Sequence, residues 1–149
     1  MKKCFLILLV VLLAGCVQEN GYNSVTPTII AKGNLMGNGK EQISKQMIVI
    51  SDSLSWNRLV AKMNTVNNAS AGFLEKKVDF SQYTVLAIFD EVEGSGGYSI
   101  DINVFEDNMK VYVEGVYKKP LGSIVPMVIT QPYLIVKIPR TEKSIQFSS

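Results

Sequence analysis

The feature that most limits the fold of this chain is the spacing of its apolar residues, which alternate or run continuously in short segments and fall at helical spacing in one place. Ile100, Ile102 and Val104 share one face of a predicted strand over Ser99–Phe105, with Ser99, Asp101 and Asn103 on the other. Lys110–Val116 alternates again, and Glu106-Asp107-Asn108 supplies the turn, so the pair reads as a hairpin. Thr84–Phe89 is apolar and β-rich throughout, the pattern of a central strand covered on both faces. Further strands are predicted at Thr28–Ala31, Gln46–Ile50, Val125–Thr130 and Tyr133–Ile138, with Gln131-Pro132 separating the last two and an edge strand in the tail from Arg140. Gly33–Lys40 and Lys118–Gly122 read as turns. The helical exception is Trp56, Leu59, Val60 and Met63, an i, i+3, i+4, i+7 stripe behind the capping oxygens of Ser51-Asp52-Ser53; it predicts a helix over Leu54–Thr65. Trp56 is expected to be its core anchor. The fold class is therefore α+β: a mostly antiparallel sheet system, sandwich- or barrel-like, with one early helix packed on the sheet.

The N-terminus has a different character. Met1-Lys2-Lys3 is a positive n-region, and Phe5–Leu13 is an apolar run too short for an ordinary membrane span. It ends in Leu13-Ala14-Gly15-Cys16, which resembles the lipobox of bacterial lipoproteins. That resemblance implies acylation of the Cys16 sulfur and cleavage before it. Acyl chains such as palmitate would then hold the protein stably on a membrane, since each buried methylene contributes about 0.8 kcal/mol. The domain reading is a signal peptide over residues 1–15, a flexible polar tether over 16–27, and a single domain over 28–149. The expected location is the cell envelope, outside the cytoplasm. Position 17 is Val rather than the Asp that retains enterobacterial lipoproteins in the inner membrane, so a Gram-negative source would place it in the outer membrane.

Removal of the first 15 of the 149 residues leaves 134, enough to bury a core without staples. It also removes Lys2 and Lys3, bringing Lys+Arg from 15 to 13, equal to Asp+Glu at 13. A near-neutral chain offers no electrostatic capture of nucleic acid. The chain has no histidine, and its two cysteines are Cys4, in the leader, and Cys16. The commonest general base and zinc ligand are therefore missing, and no thiolate cluster or internal disulfide is available to the mature chain. Gly37-Asn38-Gly39-Lys40-Glu41 fails as a phosphate loop, because Asn34 replaces the leading Gly and Glu41 the Ser/Thr. Asp90, Glu91 and Glu93 match no calcium-loop spacing. The expectation is a protein that is not an enzyme and carries no metal or cofactor.

Three segments together carry a family resemblance. They are Val78-Asp79-Phe80-Ser81 before Val85-Leu86-Ala87, Gly94-Ser95-Gly96-Gly97-Tyr98-Ser99-Ile100, and Thr130-Gln131-Pro132-Tyr133-Leu134-Ile135-Val136. The chain resembles the C-terminal domain of the PrcB family over roughly residues 45–140. That implies a lipoprotein that associates with an exported protease. Two segments become candidate protein-binding loops: Gly94, Ser95, Gly96, Gly97 and Tyr98, and Gln131, Pro132 and Tyr133. Their order is also similar to the cleft-entering loops of chagasin-type protease inhibitors, although Gln131 stands where those carry Arg, so direct inhibition is an alternative. A structural envelope lipoprotein is a further alternative. On physical grounds Gly96 and Gly97 permit positive φ and close backbone approach, Tyr98 presents a rigid ring, and Pro132 fixes the approach to Tyr133. The same residues also suit a bulge and ordinary packing.

Overall fold

A computed structural model describes residues 21–122 and 124–148. The signal peptide expected over residues 1–15 and the expected lipidation site Cys16 lie outside the described residues. Eight strands form two four-stranded sheets. They are β1 (Asn23–Ser24), β2 (Thr28–Leu35), β3 (Gln46–Ile50), β4 (Tyr83–Phe89), β5 (Ser99–Glu106), β6 (Lys110–Lys118), β7 (Gln131–Pro139) and β8 (Ser144–Ser148), with one α-helix, α1 (Ser53–Met63), and a 3-10 turn at Ala69–Gly72. The sheet orders are β1-β5-β6-β8 and β2-β7-β4-β3. Every pairing is antiparallel except that of β6 with β8. The sheets pack as a sandwich and do not close into a barrel.

The layers follow from strand alternation. Val85, Ala87 and Phe89 of β4 and Tyr133 and Ile135 of β7 join Trp56, Leu59 and Met63 of α1 in one core. Leu86 and Ile88 of β4 and Leu134, Val136 and Ile138 of β7 join Ile100, Val104, Val111 and Val113 of the other sheet in a second. The β2-β7-β4-β3 sheet is thus covered by the helix on one face and by the partner sheet on the other. This is why β4 is apolar at nearly every position while β5 and β6 alternate.

The helix is capped as its sequence indicates. Asp52 Oδ1 accepts from the Ser55 amide at 2.8 Å. At the other end the Asn64 side chain exchanges hydrogen bonds with Ser70 at 2.8 and 2.9 Å, tying the helix to the 3-10 turn. Trp56 is buried, and its indole donates to the Lys76 carbonyl at 3.1 Å, the partner a buried indole needs.

The structure corrects the sequence reading in four places. β2 does not stop at Ala31; it continues through Gly33 to Leu35, with a bulge between Ile29 and Ala31. Gly33 sits in the strand because the Tyr133 ring lies where a side chain would go, a Cβ there meeting the phenol oxygen at 3.3 Å. The tether assigned to 16–27 includes strand residues: Asn23 and Ser24 pair with Glu106 and Phe105, and Tyr22 stands edge-on to Phe105 and Tyr112. The strand expected over Val125–Thr130 is absent among the described residues. Pro126 has no amide to donate and Thr130 makes only an isolated bridge to Glu93. Finally, Gln131-Pro132 does not separate two strands but opens β7.

Candidate interaction surface

The antiparallel register sends three connections to one end of the sandwich. Leu35, at the end of β2, pairs with Gln131 at the start of β7; Phe89, ending β4, pairs with Tyr133 and with Gln46, which opens β3. Ser99, opening β5, pairs with Lys118, which ends β6. The β2–β3, β4–β5 and β6–β7 connections therefore meet at a loop pole. The opposite pole holds β1 and the β5–β6 turn.

The β4–β5 connection carries the candidate residues Gly94–Tyr98 and is hydrogen-bonded to the β6–β7 connection. Glu93 and Thr130 exchange backbone hydrogen bonds of 2.7 and 3.0 Å, and the Thr130 hydroxyl donates to the Ser95 carbonyl at 3.0 Å. The Gly96 amide donates to the Pro126 carbonyl at 3.0 Å. A Cβ on Gly96 would lie 3.2 Å from Val128 Cγ1. Gly97 has φ +94, and a Cβ there would lie 2.7 Å from the Pro120 Cβ. The paired glycines do permit a close approach, and the segment that approaches is the protein's own. Gly96 is buried, Gly94 and Gly97 are exposed, and Ser95 and Tyr98 are half-buried.

Tyr98 lines a small cleft of about 140 Å³ with Lys45, Asp90, Glu93, Tyr117 and Lys118 among its walls. The cleft has an ionic floor. Lys45 lies 2.9 Å from the buried Asp90 carboxylate and 4.3 Å from the centre of the Tyr117 ring. The hydrogen bond to Asp90 raises the Lys45 pKa above the usual lysine value, while burial pushes the Tyr117 phenol up. Beside it, Asp101 of β5 pairs with Lys118 and with Lys32 of β2, tying the two sheets together. Those lysines, Lys118 most, hold its carboxyl below the ordinary range.

The second expected loop does not exist as a loop. Gln131, Pro132 and Tyr133 are the first residues of β7, between β2 and β4, and all three are buried. Gln131 Nε2 donates to the Ile43 carbonyl at 2.7 Å and to the Asp90 carbonyl at 2.9 Å, holding the β2–β3 and β4–β5 connections against the strand. Pro132 occupies a position just beyond the end of β4, and its carbonyl accepts from the Asp90 amide at 3.0 Å. Tyr133 packs against Phe89 with ring centroids 6.2 Å apart, and burial pushes its phenol pKa up. These residues position the loop pole and contribute no surface to it.

What the sequence reading missed is the β6–β7 connection itself. Leu121, Ile124 and Met127 are fully exposed there, with Val128 and Ile129 partly so, and Val92 of the adjoining connection beside them in exposure. Hydrophobicity alone suggested a strand. The signal against it was Pro126 inside the run, which has no amide to give a ladder, with Pro120 and Gly122 just before it.

Among the described residues no group of three or more His, Cys, Asp or Glu side chains is placed to hold a metal ion, and no helix is long and apolar enough to cross a membrane. Compared with known proteins, the chain matches the family model described as PrcB C-terminal over residues 84–139, from β4 to the last residue of β7. No curated protein and no solved structure matches it.

Proposed function

We propose, on the premise that residues 84–139 belong to the PrcB C-terminal family, that this protein is a non-enzymatic envelope lipoprotein, anchored through Cys16, whose loop pole binds an exported protease. The observation that carries the reading is the separation of the two ends of the sandwich. The chain enters from its N-terminal segment at β1, and the connections bearing the family's Gly-Gly-Tyr segment gather at the opposite end. A tethered domain built this way presents its loops outward. The absence of histidine argues in the same direction, since it removes the usual catalytic base. Neutral overall charge after loss of the leader favours a protein partner over nucleic acid.

The chagasin-type alternative needs two loops entering a cleft together. With Gln131, Pro132 and Tyr133 inside β7, the second of those loops is missing, so direct inhibition by that geometry is disfavoured. The test is affinity isolation of the full-length protein from native membranes, with partners identified by mass spectrometry. An exported protease recovered in stoichiometric amount supports the proposal. Recovery of the protein alone, at a concentration where its anchor is intact, leaves the structural-lipoprotein reading in its place. Mass spectrometry of the native N-terminus checks the anchor separately: an unmodified, full-length Met1 terminus sinks it.

A further inference from the structure

We propose that Leu121, Ile124 and Met127 form the apolar anchor of the partner-binding surface, received by an apolar cleft on a folded protein partner. This rests on the reading of the chain as a tethered, protein-binding subunit. Each of these side chains is fully exposed, and they fall within seven positions of one connection. Single exposed apolar residues need no explanation, but clustered large ones on one loop mark a contact surface. The connection is held to the β4–β5 connection at Pro120, Pro126 and Thr130. Pro120 seats against Gly97, Pro126 accepts from Gly96, and Thr130 is bridged to Glu93 and bonded to Ser95. A tip held at its base this way loses little freedom on binding, which is what makes a small anchor effective. The same loop pole carries charges of both signs, Glu91, Glu93, Lys118 and Lys119 lining the cleft beside Tyr98, as the polar part of a protein interface does.

The position of the tether decides between a protein and the anchoring bilayer as the occupant. The described chain begins beside Phe105 and Glu106, at the end of β5, whereas the apolar connection leaves β6 opposite Ser99, at the start of β5. The seven steps of β5 from Ser99 to Glu106 separate these ends by about 24 Å at roughly 3.4 Å per residue. From Cys16 to Tyr22 the chain spans at most about 20 Å. The tether therefore draws the β1 end toward the lipid and leaves the apolar tip facing away from it.

The experiment uses the full-length protein in its native cells. A photo-crosslinking amino acid is placed at position 121, 124 or 127, and at Met109, an exposed site in the β5–β6 turn at the tether pole. The expected result is a protein adduct from the three loop positions, identified by mass spectrometry as one exported protein, and none from Met109. Ile124→Asp should reduce the adduct formed from position 121 by about tenfold or more, the loss of a typical interface anchor. Met127→Ser serves as a second variant if the first lowers the unfolding temperature. Adducts with lipid, adducts with a second copy of the chain, or no adduct from the loop overturn the inference. If a protein partner crosslinks at Met109 but not at the loop, the anchor assignment falls and protein binding stands. If no protein crosslinks at any position, both fall.

Discussion

Gln131→Leu is the substitution that most directly tests whether this residue builds the loop pole or binds a partner. Its side-chain amide donates to two carbonyls, those of Ile43 at 2.7 Å and Asp90 at 2.9 Å, and the residue is buried. Leucine has a similar length and no donor, so both acceptors lose their partner. A buried acceptor left unmet costs about 1–3 kcal/mol. Two of them give roughly 4 kcal/mol, and the substitution recovers about 1 kcal/mol, because Gln131 Oε1 is itself buried without a partner. The net expectation is a destabilisation of about 3 kcal/mol, or a fall of roughly 10 °C in Tm for a domain of this size. Thermal and urea unfolding measure the global effect. Hydrogen exchange should also report faster opening of the β2–β3 connection, which Gln131 holds at Ile43. A change under about 1 kcal/mol together with loss of partner capture refutes the reasoning and returns Gln131 to the binding surface.

Four further outcomes are expected. Gly97→Ala places a side chain at φ +94 and 2.7 Å from the Pro120 Cβ, so it should cost about 2 kcal/mol and loosen the β6–β7 connection; an unchanged Tm in differential scanning would contradict the seat described for Pro120. Glu41 is buried with both carboxylate oxygens unpartnered, so Glu41→Gln should raise stability by about 1 kcal/mol at neutral pH, and a clear loss in urea unfolding would show that the charge has a partner. The Tyr112 phenol, bonded to Asp107 Oδ2 at 2.9 Å, has its pKa pushed up to about 12; difference absorbance between the protein and Tyr112→Phe should show this, and Asp107→Asn should bring it back toward the ordinary tyrosine value. The carboxyls of Asp52, Asp79, Asp101 and Asp107 are held below the ordinary range, by the Ser55 amide, the Ser81 hydroxyl, Lys118 and the Met109 amide first in each case. Their stabilisation is complete above the unfolded carboxyl pKa of about 3.9 and is lost as pH falls through the lower folded values, so Asp101→Asn should flatten the stability curve below about pH 4 and leave its slope above pH 5 unchanged.

Much of the fold was legible because it rests on local periodicity. The apolar run of β4 marked a strand covered on both faces, the β5–β6 hairpin alternated in register, and the Trp56 stripe fixed the helix and its buried face. The Gly-Gly-Tyr and Gln-Pro-Tyr segments were legible as a family pattern, and residues 84–139 bear that out. Their roles were not legible. A glycine pair leaves room without saying for what, and here Pro120 and Pro126 fill it. Gln-Pro reads as a break between strands, yet the register with Leu35 and Asn34 draws it into β7.

The sequence by itself determined the central strand β4, the β5–β6 hairpin and the helix, with the apolar faces of each, because alternation and capping act over a few residues. It also determined the chemistry that is missing, since a chain without histidine has none to bring together. Only the tertiary structure decided which polar residues are buried and which apolar ones are not. Gln131 is buried because two distant carbonyls need its amide, and Leu121, Ile124 and Met127 are exposed because both sheets have already filled their cores from other strands. Burial depends on contacts between residues far apart in the chain, and no local pattern encodes those.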